Sequence, residues 1–256
     1  MSNDFSLKQF DIKQDRTAMK VGTDGLLLGA WAQGGKHVLD IGTGTGLIAL
    51  MMAQRFPDAH VDAIDIDADA ASQAEDNARR SPFADRVAVR CVSLQEFEIE
   101  PSTAQQPNTP TPQTTKRLIP QTTNLKYDSI VCNPPFFTQS LQSPDSKRTL
   151  ARHSVALPFD DLFRHARRLM SEDGVLSIVV PSDALSQIET AAVMNNLFLV
   201  RRCLVRTTRK KSARRLLLSF SQKPSPFHDE EGVIQEAVNE PSEWYRNLTC
   251  DFLLKY

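Results

Sequence analysis

The tetrapeptide Asn133-Pro134-Pro135-Phe136 follows a short apolar run, Asp128-Ser129-Ile130-Val131-Cys132. Its residue types suit a flat substrate that carries an amine. The Asn133 side-chain oxygen and the Pro134 carbonyl can both accept hydrogen bonds from one amino group. The prolines fix the backbone that aims those two acceptors. Phe136 can stack on a planar base. Taken alone, the same four residues also make a rigid turn between two elements.

A second motif lies upstream. His37-Val38-Leu39-Asp40-Ile41 runs into Gly42-Thr43-Gly44-Thr45-Gly46 and then Leu47-Ile48-Ala49-Leu50-Met51-Met52-Ala53. The pattern predicts a strand, a glycine-rich turn and a buried-face helix. The glycines permit positive φ and close approach of a ligand to the backbone. Pyrophosphate loops use G-x-G-x-x-G and lead the phosphates onto a helix N-terminus. Here the spacing is G-x-G-x-G, and Asp40 stands two residues before the first glycine. An acid there repels a pyrophosphate and attracts an ammonium group, directly or through water, which points to S-adenosylmethionine. A third element agrees. Val61-Asp62-Ala63-Ile64-Asp65-Ile66-Asp67 reads as a strand ending in acids. Asp65, with Ile66 beside it, stands where an acid accepts both ribose hydroxyls of an adenosyl group. Asp67 is the expected N-cap of the following helix.

These residues resemble the class I S-adenosylmethionine-dependent methyltransferases that act on amines. The resemblance narrows at the N-terminus, where Phe5, Phe10 and the run Met19-Lys20-Val21-Gly22-Thr23-Asp24-Gly25-Leu26-Leu27-Leu28-Gly29-Ala30-Trp31 look like the bacterial tRNA1(Val) adenine-37 N6-methyltransferase family. A C-terminal stretch, Ser242-Glu243-Trp244-Tyr245-Arg246-Asn247-Leu248-Thr249, is similar as well. The resemblance covers nearly the whole chain except residues 101 to 126. It implies a doubly wound α/β fold whose mostly parallel, seven-stranded Rossmann-like sheet ends in an antiparallel hairpin. It also implies methyl transfer to the N6 of an adenosine in tRNA, next to the anticodon of a valine tRNA, with Asn133, Pro134, Pro135 and Phe136 at the reacting amine. Relatives close the methionine end of the cofactor site with residues in the positions of Lys20, Thr23 and Asp24, although Thr23 or Asp24 also stands where it could cap the next helix. Many relatives place an acid after strand three to contact the cofactor adenine. This sequence has Cys91-Val92-Ser93-Leu94-Gln95 there, so Ser93, Gln95 or a backbone group takes that contact. Three rival readings remain open: methylation of a guanine amine in ribosomal RNA, methylation of a glutamine amide in a release factor (where relatives carry Tyr in place of Phe136), and a catalytically silent RNA-binding protein.

The chemistry has to be positioned by a scaffold, and 256 residues with 41% apolar content suit one α/β domain with a buried core. No apolar stretch is long enough to span a membrane. The first residues lack a secretory pattern, so the expected location is cytoplasmic. Cys91, Cys132, Cys203 and Cys250 are widely separated, and the five histidines show no ligand spacing; neither a metal nor a disulfide is expected. No obligate protein partner is evident. The net charge of −1 hides an asymmetry. Between Arg201 and Arg215 stand eight basic residues and no acid, and from His228 to Asp251 acids dominate. Arg206, Arg209, Lys210, Lys211 and Arg214 are therefore candidates for RNA phosphates, the bland alternative being a solvated hairpin turn. Lys147, Arg148 and Arg152 follow the Asn-Pro-Pro-Phe motif and read either as a lid that touches RNA or as an ordinary exposed loop.

Periodicity predicts strands at His37 to Ile41, His60 to Asp65, Arg86 to Val92, Tyr127 to Cys132, Gly174 to Val180, Leu197 to Val205 and Arg214 to Ser221. Helices are expected over Asp24 to Ala32, Leu47 to Arg55, Ala68 to Arg80, Phe159 to Met170 and Ser182 to Asn195. Residues 101 to 126, rich in Thr, Pro and Gln, read as a disordered insertion without a catalytic role. Residues 225 to 256 read as a C-terminal extension.

Overall fold

A computed structural model describes residues 4–99, 126–135 and 157–255. Phe136, Lys147, Arg148 and Arg152 lie outside the described residues, as does all but the last residue of the expected insertion at 101 to 126.

A two-stranded antiparallel ribbon, β1 (Phe5–Ser6) and β2 (Asp11–Ile12), precedes helix α1 (Thr23–Trp31). The chain then alternates as the periodicity predicts. β3 (His37–Ile41), α2 (Leu47–Arg55), β4 (His60–Asp65), α3 (Ala68–Arg80) and β5 (Val87–Cys91) form the first half. The second half comprises β6 (Tyr127–Cys132), α4 (Phe159–Leu169), β7 (Met170–Pro181), α5 (Leu185–Met194), β8 (Phe198–Thr208) and β9 (Arg215–Ser221). The C-terminal part adds β10 (His228–Ala237), β11 (Glu240–Pro241) and α6 (Glu243–Thr249).

The central strands are buried on both faces. β3 shows the reason in three residues: Val38 enters the core under α1 and α2, while Leu39 and Ile41 enter the core on the opposite face with Phe163 and Phe220. Such strands read as nearly unbroken apolar runs, because helices cover both sides of a parallel sheet. The sheet order is β11-β10-β8-β9-β7-β6-β3-β4-β5. β3 begins in the middle; the chain winds out through β4 to β5, then crosses back to place β6 on the other side of β3. That reversal opens a crevice at the carboxyl ends of β3 and β6, where open α/β sheets bind ligands. The glycine turn leaves β3 at this end, and Asn133-Pro134-Pro135 leaves β6.

The helix starts follow local chemistry. Asp67 caps α3, its carboxylate accepting from the backbone N–H groups of Asp69 and Ala70. Neither Thr23 nor Asp24 caps α1; Gly22 holds the N-cap position with no side-chain bond, which leaves both polar side chains for the crevice.

One expectation needs correction. The sheet does not end in the β8–β9 hairpin, and among the described residues it has nine strands rather than seven. β10 runs parallel to β8, and β11 turns back antiparallel on β10. β10 begins His228-Asp229-Glu230-Glu231-Gly232, a composition with poor intrinsic strand preference. Its pairing is supplied by its neighbour, since β8 presents arginines to the acids. The indole of Trp244, on α6, lies directly over Gly232. A methyl group at this position would collide with that ring, so Gly232→Ala is expected to cost about 1–3 kcal/mol of stability. Denaturant midpoints of the two proteins would measure it, and an unchanged midpoint would show that α6 does not pack on β10 in this way.

Candidate active site

The turn after β3 has all three glycines in the left-handed region: φ is +68° at Gly42, +57° at Gly44 and +81° at Gly46. They serve different ends. A Cβ at Gly42 or Gly44 would meet nothing within 4 Å, so these two present bare backbone to open space. A Cβ at Gly46 would lie 3.3 Å from Ala74, so this glycine lets the turn pack on α3. The turn is tied down by Gly42 and Thr43 N–H groups donating to the Ile64 carbonyl at 2.9 and 3.0 Å.

Asp40 sits beneath the turn and is fully buried. Its Oδ2 accepts from the Thr43 hydroxyl at 2.7 Å and from the Ala49 N–H at 3.1 Å, joining strand end, turn and helix α2. Its Oδ1 has no hydrogen-bond partner among the described residues. Burial pushes its carboxyl up to about 7, against the lowering pull of those two bonds. Asp40 lines neither cavity of the crevice, so the direct arm of the ammonium expectation is not what this placement offers. Asp40 acts on the site through the loop it holds.

Asp65, at the tip of β4, holds the other side of the turn. Its Oδ2 accepts from the Gly44 N–H at 2.8 Å and its Oδ1 from the Asp67 N–H at 3.0 Å. Burial raises its carboxyl above the usual range, opposed by these backbone bonds. Each oxygen retains accepting capacity, and Asp65 lines the crevice.

Two residues that sequence reasoning missed brace the N-terminal segment. Asn77, fully buried on α3, donates to the carbonyls of Thr45 and Lys13, both at 2.8 Å, and accepts from the Lys13 N–H at 3.0 Å. Gln73, one turn earlier, accepts from the Arg16 N–H. The signal was present as two amides at i and i+4 on the alanine face Ala70, Ala74 and Ala78, a polar pair on a side that should be buried. Together they lay residues 13 to 16 along α3 and bring Thr17, Ala18 and Met19 to the crevice.

The crevice holds two cavities. The larger, about 800 Å³, is lined by Lys20, Thr23, Asp24, Ser182, Asp183, Arg214 and Arg215 among others. The smaller, about 310 Å³, is lined by Asp65, Ile66, Val92, Ser93, Leu94, Gln95, Pro135 and Leu157 among others. Five residues belong to both: Met19, Gly42, Gly44, Asn133 and Pro134. Asn133 and Pro134 thus form part of a wall common to the two spaces. Asn133 is half-buried, and no described residue hydrogen-bonds its amide. Asp24 is held by Arg215 Nε at 2.8 Å. The Ser93 hydroxyl exchanges hydrogen bonds with Glu96, at 2.7 and 3.2 Å, which leaves the Gln95 carbonyl as the less committed acceptor after β5.

The donor set fits a bound S-adenosylmethionine. Gly42 and Gly44 offer uncovered backbone, Asp65 offers acceptors for ribose hydroxyls, and Ile66, Leu94 and Leu157 offer apolar surface for an adenine. Lys20, Thr23 and Asp24 stand at the larger cavity, beyond the glycines.

The basic cluster is not the uniform phosphate surface that its composition suggested. Arg201 pairs with Glu230 at 2.5 Å, Arg202 with Asp229 at 2.6 Å, Arg206 with Glu231 at 3.1 Å and Arg209 with Glu236 at 2.7 Å. The acids all lie on β10, the strand beside β8. Of the five proposed phosphate contacts, Arg206 and Arg209 are therefore already neutralised. Lys210, Lys211 and Arg214 are exposed, with no carboxylate partner among the described residues.

A family model described as a methyltransferase domain matches residues 32–221. Similar proteins of known assignment align along the full length. The tRNA1(Val) (adenine(37)-N6)-methyltransferase of Bacteroides thetaiotaomicron is 40% identical over 253 residues, covering 98% of this chain and 97% of that protein. The protein of the same name from Flavobacterium psychrophilum is 39% identical, covering 98% and 99%. Among solved structures, a predicted O-methyltransferase from Agrobacterium tumefaciens superposes with a TM-score of 0.62 over 90% of this chain and 96% of its own. At 16% identity, that likeness speaks to the fold alone.

The buried carboxyl of Asp40 gives the cofactor-free protein a distinctive pH dependence. Its folded pKa lies above the unfolded value, so the unfolded chain releases this proton first as pH rises. Stability should therefore fall between about pH 4 and pH 7, by an amount on the order of a few kcal/mol, and then level off. Asp40→Asn stays neutral and should lose that component. Denaturant unfolding of both proteins across this range is expected to show the variant gaining on the wild type as pH rises; parallel curves would contradict the assignment.

Proposed function

The chain belongs to the tRNA1(Val) (adenine(37)-N6)-methyltransferase family, and we propose that it transfers a methyl group from S-adenosylmethionine to the exocyclic N6 of adenosine 37 in a valine tRNA. The observation that carries this reading is the wall shared by the two cavities. Asn133 and Pro134 line both, so an amine held by them lies beside a cofactor whose adenosine occupies the smaller cavity and whose methionine end reaches the larger one.

Adenine N6 is a weak nucleophile because its lone pair is delocalised into the ring. Acceptance of its two hydrogens by Asn133 Oδ1 and the Pro134 carbonyl pulls that pair out of conjugation and aims it. Bound S-adenosylmethionine supplies a methyl group on a positively charged sulfur. With that group bound, Asn133 and Pro134 would hold N6 in line with the methyl to be transferred, and the surplus proton of the alkylated amine would pass to water. No base of unusual pKa is needed, since the alkylated amine is acidic. The work of the protein is positioning and electrostatics. The target base has to leave its stack to reach the pocket, and Phe136 is the residue proposed to receive it.

Asp65 is proposed to hold the ribose, Ile66 to cover the adenine, and Lys20, Thr23 and Asp24 to close the methionine end. Gln95 joins Ser93 as a candidate for the adenine amine. Action in the cytoplasm, without a protein partner, completes the reading. It is supported by the identity of relatives along the full chain and by the lack, among the described residues, of any helix long and apolar enough to cross a membrane.

Asn133→Ala is expected to lower kcat by about 10²–10³, the cost typical of losing one acceptor or donor aimed at a reacting centre. Cofactor affinity should change only a few-fold, because the amine contacts belong to the transition state. Single-turnover methylation beside calorimetric titration of the cofactor separates the two effects. A variant that loses cofactor binding as badly as rate would place Asn133 in the cofactor site instead.

A further inference from the structure

We propose that the tRNA backbone docks on the rim made by the β8–β9 turn, through Lys210, Lys211 and Arg214, and not on the arginine face of β8. This placement rests on the RNA-methylating function argued above.

The first support is the state of the β8 arginines. Arg202 binds Asp229 with two parallel bonds, Nε to Oδ1 at 2.9 Å and Nη2 to Oδ2 at 2.6 Å. Arg209 binds Glu236 in the same forked manner at 2.7 and 2.8 Å. A guanidinium whose fork is occupied by a carboxylate must surrender that pair before it takes a phosphate with the same geometry. An unpaired cation that neutralises a phosphate releases a counterion condensed on the nucleic acid and so adds a full contact to the salt dependence of binding, whereas an arginine that keeps its carboxylate does not. β10 therefore screens β8 and leaves the turn as the uncompensated positive feature of this region.

The second support is the construction of the turn. Arg206 spends one amino group on Glu231 and the other on the Lys211 carbonyl at 3.2 Å, so it braces the turn from within. Lys211 N–H donates to the Thr208 carbonyl at 3.0 Å and Arg214 N–H to the Val205 carbonyl at 3.1 Å. At the far end, Ser182 N–H donates to the Arg214 carbonyl at 3.2 Å, fastening the turn to the carboxyl end of β7. The backbone is thus fixed while the Lys210, Lys211 and Arg214 side chains stay exposed.

The third support is location. Arg214 lines the larger cavity, in company with Asn133 and Pro134. Of the acids at that cavity, Asp24 is consumed by Arg215, leaving Asp183 against Lys20 and Arg214. A phosphate held on this rim lies at the entrance through which a splayed nucleotide reaches Asn133.

The test compares two full-length variants in tRNA binding across a salt series. Lys210→Gln, Lys211→Gln and Arg214→Gln together should weaken binding by more than about tenfold and flatten the log–log salt slope by about 2 units. The second variant removes two screened pairs at constant net charge: Arg202→Gln with Asp229→Asn, and Arg209→Gln with Glu236→Gln. It should keep the wild-type slope, and thermal melts confirm that both variants fold. Suppose the wild type methylates tRNA, yet the triple variant keeps its slope while the pair-removed variant flattens. That result overturns the placement and leaves the functional reading standing. A wild type that transfers no methyl group to tRNA sinks the functional reading and the placement with it.

Discussion

A carboxylate with no access to water is expensive, and this fold places one at the end of its central strand. Asp40 is buried beneath the glycine turn, and the compensation it receives is local: the Thr43 hydroxyl and the Ala49 N–H, one from the turn and one from the first turn of α2. The same two bonds fix where the turn leaves β3 and where α2 begins. Asp65 pins the opposite side of the turn through the Gly44 N–H. Between these two acids the backbone takes the left-handed region at three alternate positions, Gly42, Gly44 and Gly46, a path closed to other residues at acceptable cost. Everything the crevice presents to a ligand depends on this arrangement, because the bare backbone of Gly42 and Gly44 forms part of both cavity walls.

The sheet topology then does the rest. β6 returns beside β3, so Asn133-Pro134-Pro135 emerges next to the glycine turn rather than a strand away. The N-terminal segment, bound along α3 by Asn77 and Gln73, delivers Met19 and Lys20 to the same space. Three stretches far apart in sequence meet at one wall, and in the proposed reading an amine held there lies beside the methyl donor. Approach and alignment of two bound partners is the main thing such a reaction requires.

Much of this was legible in the sequence, for physical reasons that differ by element. β3, β4 and β6 are buried on both faces and so appear as short apolar runs, and after β3 and β4 the glycine turn and the capping Asp67 mark where the helices begin. β10 was not legible, because four acids and a glycine do not look like a strand until the arginines beside them are known. The charge reversal between Arg201–Arg215 and His228–Asp251 was plain, but its meaning was not. Read in one dimension, it suggests an open basic surface; the parallel register of β8 and β10 turns half of its eight basic residues into ion pairs. Asn77 escaped notice for a related reason, since its partners, Lys13 and Thr45, are brought to it only by the fold.

The central claim is that this wall presents an adenine N6 to the methyl donor. Its most direct test is nucleoside mass spectrometry of unmodified valine tRNA after incubation with the purified protein and S-adenosylmethionine. The account predicts N6-methyladenosine approaching one per tRNA, lost when adenosine 37 is replaced by guanosine. Methyl appearing on a guanine amine, or none appearing from folded protein that binds the cofactor, would contradict it.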